Sequence, residues 1–347
     1  MALEFVPIQA SEQQDLIQFL LKSYDADPAL NSFRPEVIDW KYFAENPEWK
    51  GPRSFAVKEN GRIVAHGGIW AVPFETADLE VRAIHLNDWV ASRTAVGAGV
   101  YLLRKVAGLV DVHLAIGGSQ DTRNLLPKLG YKCVGELRRF ARVVRPWLQF
   151  RTTPGKNWKT PLKFVRNSVQ AASGLPPVPE GWQASKVTSF TESIENGDIG
   201  GTVSFRSPRR TAAGLNYLLR CPAARFSGYL VSQGQQPRGY FLLTQVGRQA
   251  RIVDVRMDTE DRESWRAVCA LATRCAAEDP ETCEVVAASS VEAIGEAWLQ
   301  SGFAHRKTDK IFCYDPRNLV TSGPLLDLNV ADCDFCILNA PAFPYLS

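Results

Sequence analysis

Two helix endings in this chain match. LLPKLGY (Leu125–Tyr131) and AWLQSGF (Ala297–Phe303) each run an apolar stretch into a glycine followed by an aromatic residue. A glycine just past a helix can take the left-handed conformation that closes the last turn. Both endings occupy the same place in one order of elements, and that order runs through the chain twice. This repetition restricts the fold more than any other feature: the chain reads as a duplicated α/β unit.

In the first copy Leu3–Ile8 reads as a strand. Ser11 is placed to cap a helix carrying Leu16, Phe19, Leu20 and Tyr24 on one stripe. A second helix contains Val37, Ile38, Trp40, Lys41, Tyr42 and Phe43 and stops near Pro47. Asn60-Gly61 between Ser54–Glu59 and Arg62–Pro73 is a hairpin signal. A strand at Ala83–Val90, a helix at Gly97–Leu109 and a strand at Val112–Ile116 follow. Ser119 caps the helix that ends at Gly130, and Arg139–Val144 closes the copy as a strand. The second copy repeats this outline. It has a hairpin of Tyr229–Ser232 and Gly239–Thr244, a strand at Arg251–Met257 and a helix at Glu260–Glu278. Then come a strand at Glu284–Ala288, the helix ending at Gly302 and a strand at Lys310–Tyr314.

The expected organisation is therefore a first domain over 1–145, a linker over 146–180, a second domain over 181–315 and a tail over 316–347. The linker reading rests on Arg145-Pro146 at one end and the Pro-rich Gly174–Pro179 at the other. A length of 347 residues agrees with two domains, and 45% apolar residues are enough to bury a core in each. Such a composition excludes a disordered or collagen-like chain. We expect no secretion signal, because the opening MALEFVPIQASEQQ has no basic region followed by an apolar one, and no membrane span, because no apolar run approaches the ~18 residues a span needs. The eight cysteines are scattered and read as reduced thiols, which favours a cytoplasmic location. Cys333 and Cys336 have metal-like spacing, but no histidine is spaced to complete a site, so no metal is expected.

The net charge of +3 hides an uneven distribution. Between Lys132 and Arg166 stand ten Lys or Arg and a single acid, Glu136, interleaved with Trp147, Phe150, Trp158 and Phe164. This stretch fits an anionic membrane surface, an RNA or a solvated connector that packs its aromatics on the domains.

The segment AIHLNDWVASRTAVGAGVYLLRK (Ala83–Lys105) carries the clearest chemistry. A strand leads into Gly97-Ala98-Gly99, and a helix opens. Glycines let the backbone approach a bulky anion, and the unpaired amides of a helix's first turn favour negative charge. A pyrophosphate is the usual guest of such a turn.

These residues resemble the GNAT superfamily of acyl-CoA-dependent N-acetyltransferases. The hairpin FAVKENGRIVAHGGI (Phe55–Ile69) resembles that family's second and third strands. LNDWVAS with Gly97-Ala98-Gly99 resembles its pyrophosphate motif, and HLAIGGS (His113–Ser119) its fifth strand. LLPKLGY resembles the segment beside the acyl thioester. The resemblance implies an α/β (α+β) fold of two tandem GNAT-like units. Each unit would be a mixed, mostly antiparallel sheet, splayed between its fourth and fifth strands and flanked by helices. Acetyl-CoA, as co-substrate, would lie in the first splay. Backbone amides of Val96, Gly97, Ala98 and Gly99 would hold its pyrophosphate. The backbone at Trp89 and Val90 would bond the pantetheine arm. Arg93 and Arg123 would pair with phosphates, and Ser119 stands where the family has an asparagine. The family's basic or amide residue before the glycines is Thr94 here, and its common tyrosine is Leu126.

His85 and Asp88 border the implied acyl site and are the candidate general bases. Residues three apart point to opposite faces of a regular strand, so at most one of the two enters the cleft. In the second copy Asp258, Glu260, Asp261 and Glu263 stand where a pyrophosphate would need amides. We expect that copy to bind no coenzyme A and to complete the acceptor pocket or the interface.

The implied reaction is acetyl transfer to an amine of a small molecule. The helix around Asp39-Trp40-Lys41-Tyr42 and the long connector resemble bacterial tandem acetyltransferase-like proteins linked to surface-polysaccharide synthesis, which suggests an amino-sugar nucleotide as acceptor. No DNA partner is implied. One alternative is a Fem-type aminoacyl transferase that takes its donor from tRNA. Another is a non-catalytic scaffold that keeps the fold.

Overall fold

The computed structural model describes residues 3–27, 31–76, 79–194, 204–340 and 344–347. The expected second domain and tail therefore contain residues, 195–203 and 341–343, that lie outside the described ones.

The hairpin signal at Asn60-Gly61 holds: β2 (Ser54–Glu59) pairs antiparallel with β3 (Arg62–Ala71), and β1 (Leu3–Pro7) adds to the outer side of β2. On the inner side of β3 lies β4 (Ala83–Ala91), which runs parallel to β5 (Val112–Ile116). The second copy repeats this arrangement. There β7 (Trp182–Val187), β8 (Arg225–Gln233), β9 (Gln236–Val246) and β10 (Gln249–Met257) are antiparallel neighbours, and β10 runs parallel to β11 (Glu284–Ser289).

The last strand of each copy crosses over. The long strand β6 (Lys132–Val143) follows the first copy's helix ending but pairs with β11 of the second. Reciprocally, β12 (Ala304–Tyr314) follows the second ending and pairs with β5 of the first. Because β6 and β12 also pair with each other, the copies share one twelve-stranded sheet in the order β1-β2-β3-β4-β5-β12-β6-β11-β10-β9-β8-β7. The exchange leaves neither copy an open edge where they meet, and an unpaired edge is a liability for a sheet. The division at residue 145 thus falls between elements in sequence, while hydrogen bonding crosses it in space.

Helices cover both faces. α1 (Gln13–Tyr24) buries Leu16, Ile17 and Leu20. It is entered through a 3-10 turn capped by Gln9 and Glu12, so Ser11 lies within that turn and is not the cap. α2 (Pro35–Ile38) widens into a π-turn over Asp39–Phe43. α3 (Ala98–Ala107) packs Ala98, Leu102, Leu103 and Val106 onto Ile84 and Leu86 of β4. α4 (Gln120–Leu125) continues as a 3-10 turn to Gly130, whose φ of +90° closes it as expected.

The 146–180 segment is more structured than a linker. It forms α5 (Pro146–Thr152) and α6 (Lys159–Ala172). Pro146 of α5 and Pro161 of α6 each stand in a first turn, where the missing N–H has no intrahelical acceptor to lose. Beyond them come α7 (Ala212–Leu219), α8 (Arg262–Glu278) and α9 (Glu292–Gln300). The tail after Asp315 is also built in: Leu328, Val330, Cys336 and Ile337 are fully buried in the core shared by the two copies. No helix among the described residues is long and apolar enough to cross a membrane.

Candidate active site

The site is created by a defect in β4. Its parallel ladder with β5 consists of Ala83↔Val112, Ile84↔His113 and His85↔Leu114, and then it stops. Beyond His85 the backbone groups of β4 that face β5 have no ladder partner. On the other side His66 pairs with Val90 and Gly68 with Asn87, so Asp88 and Trp89 together oppose Gly67. This is a β-bulge, and a bulge bends its strand. Asp88 takes a left-handed φ of +46°. The strand thus leaves β5, and the expected splay opens.

The bulge also changes which way side chains point. Ile84, Leu86, Trp89 and Ala91 all belong to the core cluster under α3. Val90 instead packs in the cluster with Tyr42, and Asp88 bonds to the π-turn. His85 and Asp88 therefore lie on the same face, against the expectation from regular alternation. The signal for this was Gly67-Gly68 within a strand pattern, which marks close approach of neighbours. A Cβ on Gly68 would overlap the Tyr42 ring, and one on Gly67 would stand 2.7 Å from Leu102.

Asp88 is the centre of a buried ionic knot. Lys41 Nζ donates to Asp88 Oδ2 at 2.6 Å and lies 3.6 Å from Asp334 Oδ2. The Tyr42 hydroxyl donates to the same Asp88 oxygen. The π-turn presents Lys41 and Tyr42 side by side, and Arg53 holds it there. Its guanidinium donates to the carbonyls of Trp40, Lys41 and Ala44 and to the Tyr217 hydroxyl. Burial works against the Lys41 charge, but Asp88 and Asp334 outweigh it and hold the ammonium above its usual range. Burial likewise opposes the Asp88 charge, and Lys41 with Tyr42 more than cancels it, so this carboxyl sits low. Asp334 ends up high, because burial and the neighbouring Asp88 charge exceed the help from Lys41. Asp88 is thus an engaged carboxylate, not a free one.

His66 Nδ1 lies 3.1 Å from the Asp88 carbonyl oxygen and Nε2 lies 3.0 Å from Ser54 Oγ. His85 Nδ1 lies 3.3 Å from the Leu114 carbonyl oxygen. A carbonyl only accepts, so both rings carry their proton on Nδ1. Burial pulls His66 and His85 down to about 4, so both are neutral near pH 7. The His85 Nε2 lone pair is consequently available.

Asn87 is the functional candidate that sequence reading missed. It is buried on the His85 face just past the last ladder pair, and neither its Oδ1 nor its Nδ2 has a partner among the described residues. A buried amide left unsatisfied costs ~1–3 kcal/mol. Such a group at the mouth of a splay calls for a polar ligand.

The glycine turn is built as expected. Gly97 caps α3 with φ +84°, and the space a Cβ would occupy is open. Gly99 serves packing: a Cβ there would come 3.2 Å from Ala91 Cβ. The Trp89 indole donates to the Gly99 carbonyl at 3.0 Å and ties the bulge to the turn. Val96 is 93% exposed. The Ala98 amide already closes a turn on Ala95. Arg93 is exposed beside the turn and has no ion-pair partner among the described residues. Arg123 lies on α4 and donates to Gln120 at 3.0 Å. Ser119 caps α4 by accepting from the Thr122 amide at 3.2 Å. Leu126 is packed in the core, and the nearby Tyr131 hydroxyl is bonded to His113 Nδ1 at 2.5 Å.

Lys41 also lines a cavity of about 60 Å³ between the two copies, with Trp40, Trp70, Arg53, Arg209 and Tyr217. Trp40 stacks on Tyr217 with ring centres 4.8 Å apart. The second copy supplies this wall, while its own splay is closed. The β10–β11 ladder also ends after three pairs, at Arg251↔Val286. Tail residues fill the opening: Ser290 N–H donates to the Leu328 carbonyl at 3.1 Å, and Asn329 bonds Asp254. Arg210 joins Asp254 and Asp332 at 2.9 and 2.7 Å, and Arg256 joins Asp327 at 2.5 Å. Burial would raise Asp254, but Arg210 and Arg256 bring it down to about 2. The acids expected to repel a pyrophosphate serve locally: Asp261 caps α8 and Asp258 pairs with Arg238. Cys333 and Cys336 are free and buried, and no metal-binding cluster occurs among the described residues.

Comparison with solved structures agrees with this architecture. Saccharomyces cerevisiae N-myristoyltransferase with bound myristoyl-CoA superposes with a TM-score of 0.59 at 14% identity, over 90% of this chain and 82% of that one. A tandem GNAT protein from the clavulanic acid biosynthesis pathway gives 0.57 at 12% identity, over 90% and 98%. A GCN5-related N-acetyltransferase from Anabaena variabilis gives 0.57 at 12%, over 90% and 73%. No protein-family model matches the chain, and no curated protein matches it in sequence. The fold is that of a tandem GNAT protein.

Proposed function

We propose that this chain is an acyl-CoA-dependent N-acyltransferase that moves an acetyl group from acetyl-CoA to an amine of a small molecule or amino sugar. The observation that carries this reading is the open splay of β4 from β5, with unladdered backbone and the orphan Asn87 amide at its mouth. Its twin in the second copy is filled by the tail.

The residues present suit the donor. The turn at Val96–Gly99 offers the first-turn amides other than that of Ala98, open space at Gly97 and the free Arg93 charge for the phosphates. The backbone at Trp89 and Val90 suits an extended pantetheine arm, which would complete the interrupted ladder. Bound there, the co-substrate would supply an activated thioester carbonyl. Asn87 would hydrogen-bond it; as the C–N bond forms and the C–S bond breaks, His85 Nε2 would accept the amine's proton and release it to the departing CoA thiolate. Asp88 acts as a positioning residue, because its carboxylate is spent on Lys41 and Tyr42. The acceptor would present its amine end at the cavity between the copies, whose volume of about 60 Å³ has room for a small group only and whose walls include Trp40, Trp70 and Tyr217.

Calorimetric titration with acetyl-CoA tests the reading, with Gly97→Glu and Gly99→Glu as controls. Binding by the native chain and loss in both variants, with thiol release on adding amines, is the expected result. Absence of binding by the native chain would overturn it, and binding without turnover across amines would favour a scaffold.

A further inference from the structure

α6 is built inside out. Its buried side chains are polar: Thr160 and Asn167 face the protein. Asn167 donates to Gln149 at 2.7 Å, and Gln149 donates to Ser347 at 2.7 Å. Gln170 reaches the Gly302 carbonyl at 3.0 Å. The apolar side chains point outward instead. Leu162, Val165 and Val169 are 62%, 60% and 70% exposed, and Trp158, just before the helix, is 75% exposed. Spacings of four, three and four residues align all four on one stripe. Trp147 of α5, 59% exposed, adds a second indole to the same pair of packed helices. A helix normally buries its apolar stripe, and a contiguous apolar patch rimmed by charge marks an interaction surface.

The charge around this stripe identifies its partner. From 137 to 179 the chain contains nine Lys or Arg and no Asp or Glu. Lys156, Lys159, Lys163 and Arg166 are exposed beside the stripe. Lys159 and Lys163 also line an adjoining cleft of about 660 Å³ with Phe150 and Phe164. A surface helix with an apolar face, flanking cations and tryptophans suits the boundary between headgroups and acyl chains.

We propose that the outer face of α5 and α6 docks this protein onto an anionic lipid surface, with Trp158, Leu162, Val165 and Val169 entering the acyl boundary and the flanking lysines pairing with headgroup phosphates. The role is peripheral: α6 lies on the membrane and does not cross it.

Co-sedimentation of the full chain with vesicles tests this. Phosphatidylcholine alone is compared with phosphatidylcholine containing phosphatidylserine. The chain should bind the anionic vesicles and not the neutral ones, salt should weaken binding, and Trp emission should shift to shorter wavelength. Leu162→Glu with Val169→Glu, and separately Lys156→Glu with Lys159→Glu, should each lower binding by about tenfold or more. All four positions are exposed, so unchanged thermal melting confirms that the variants fold. Equal binding to both vesicle types, no binding, or binding indifferent to the variants would overturn the proposal. So would a stripe-dependent dimer in light scattering, or stripe-dependent retention of RNA in place of vesicles.

Discussion

Lys41 Nζ donates to Asp88 Oδ2 at 2.6 Å, with the lysine on the π-turn and the aspartate at the bulge of β4. The pair fastens the helical layer to the strand that opens the splay. Both side chains are buried, so each charge depends on the other. Breaking a buried pair by removing one partner costs ~3–5 kcal/mol, because an uncompensated charge remains. Lys41→Met and Asp88→Asn should each destabilise the chain by about that much, and the double variant by less than their sum. Urea unfolding of the four-member cycle measures this coupling. Additive losses would show that the pair is not a unit.

Stability should fall on mild acidification. His66 and His85 are held down to about 4 by burial, against ~6.5 for an unfolded histidine. With a depressed folded value, the unfolded chain takes up protons first. The stabilisation is complete above pH ~6.5 and is lost as pH falls toward about 4. Each ring should cost roughly 2 kcal/mol between pH 7 and pH 5. Denaturant unfolding at a series of pH values reads this slope. His85→Gln should make it shallower.

Asn87 should separate stability from function. Its amide has no partner among the described residues, so replacing it with an apolar group of similar size removes an unsatisfied group. Asn87→Leu should melt at the same temperature or higher. It should also weaken acetyl-CoA binding or kcat/KM by about tenfold. An unchanged kcat/KM and affinity would remove Asn87 from the site.

Acetyl-CoA should bind once per chain. The second splay is occupied by Leu328 and Asn329, locked by Arg210 between Asp254 and Asp332. Calorimetry should report one site. Arg210→Leu should leave two buried carboxylates exposed to each other and destabilise the chain by about 3 kcal/mol or more. Two equivalent sites in the native chain would contradict the plugged splay.

Local signals determined much of this protein. The hairpin at Asn60-Gly61, the glycine closures at Gly130 and Gly302, and the turn at Gly97 are short-range features, each set by residues a few positions apart. They were enough to read a duplicated α/β chain with a glycine turn at the start of a helix in its first copy. Other features depend on contacts far apart in sequence. No local pattern says that β6 and β12 exchange partners, because either strand satisfies the backbone of either sheet. Arg145-Pro146 reads as the start of a linker, and only the placement of Pro146 in a first turn shows that it starts a helix.

The same division holds within the site. Sequence pointed to His85 and Asp88, but regular alternation put them on opposite faces, and the tertiary bulge places them on one. Asp88 meets Lys41 across 47 residues, and both approach Asp334 from the tail. The duplicated order, the glycine turn and the concentration of positive charge are properties of the sequence by itself. Which splay stays open, which carboxylate is engaged and which way α6 turns its apolar face were decided by tertiary structure. Each follows from packing and charge pairing between segments that meet only when the sheet closes.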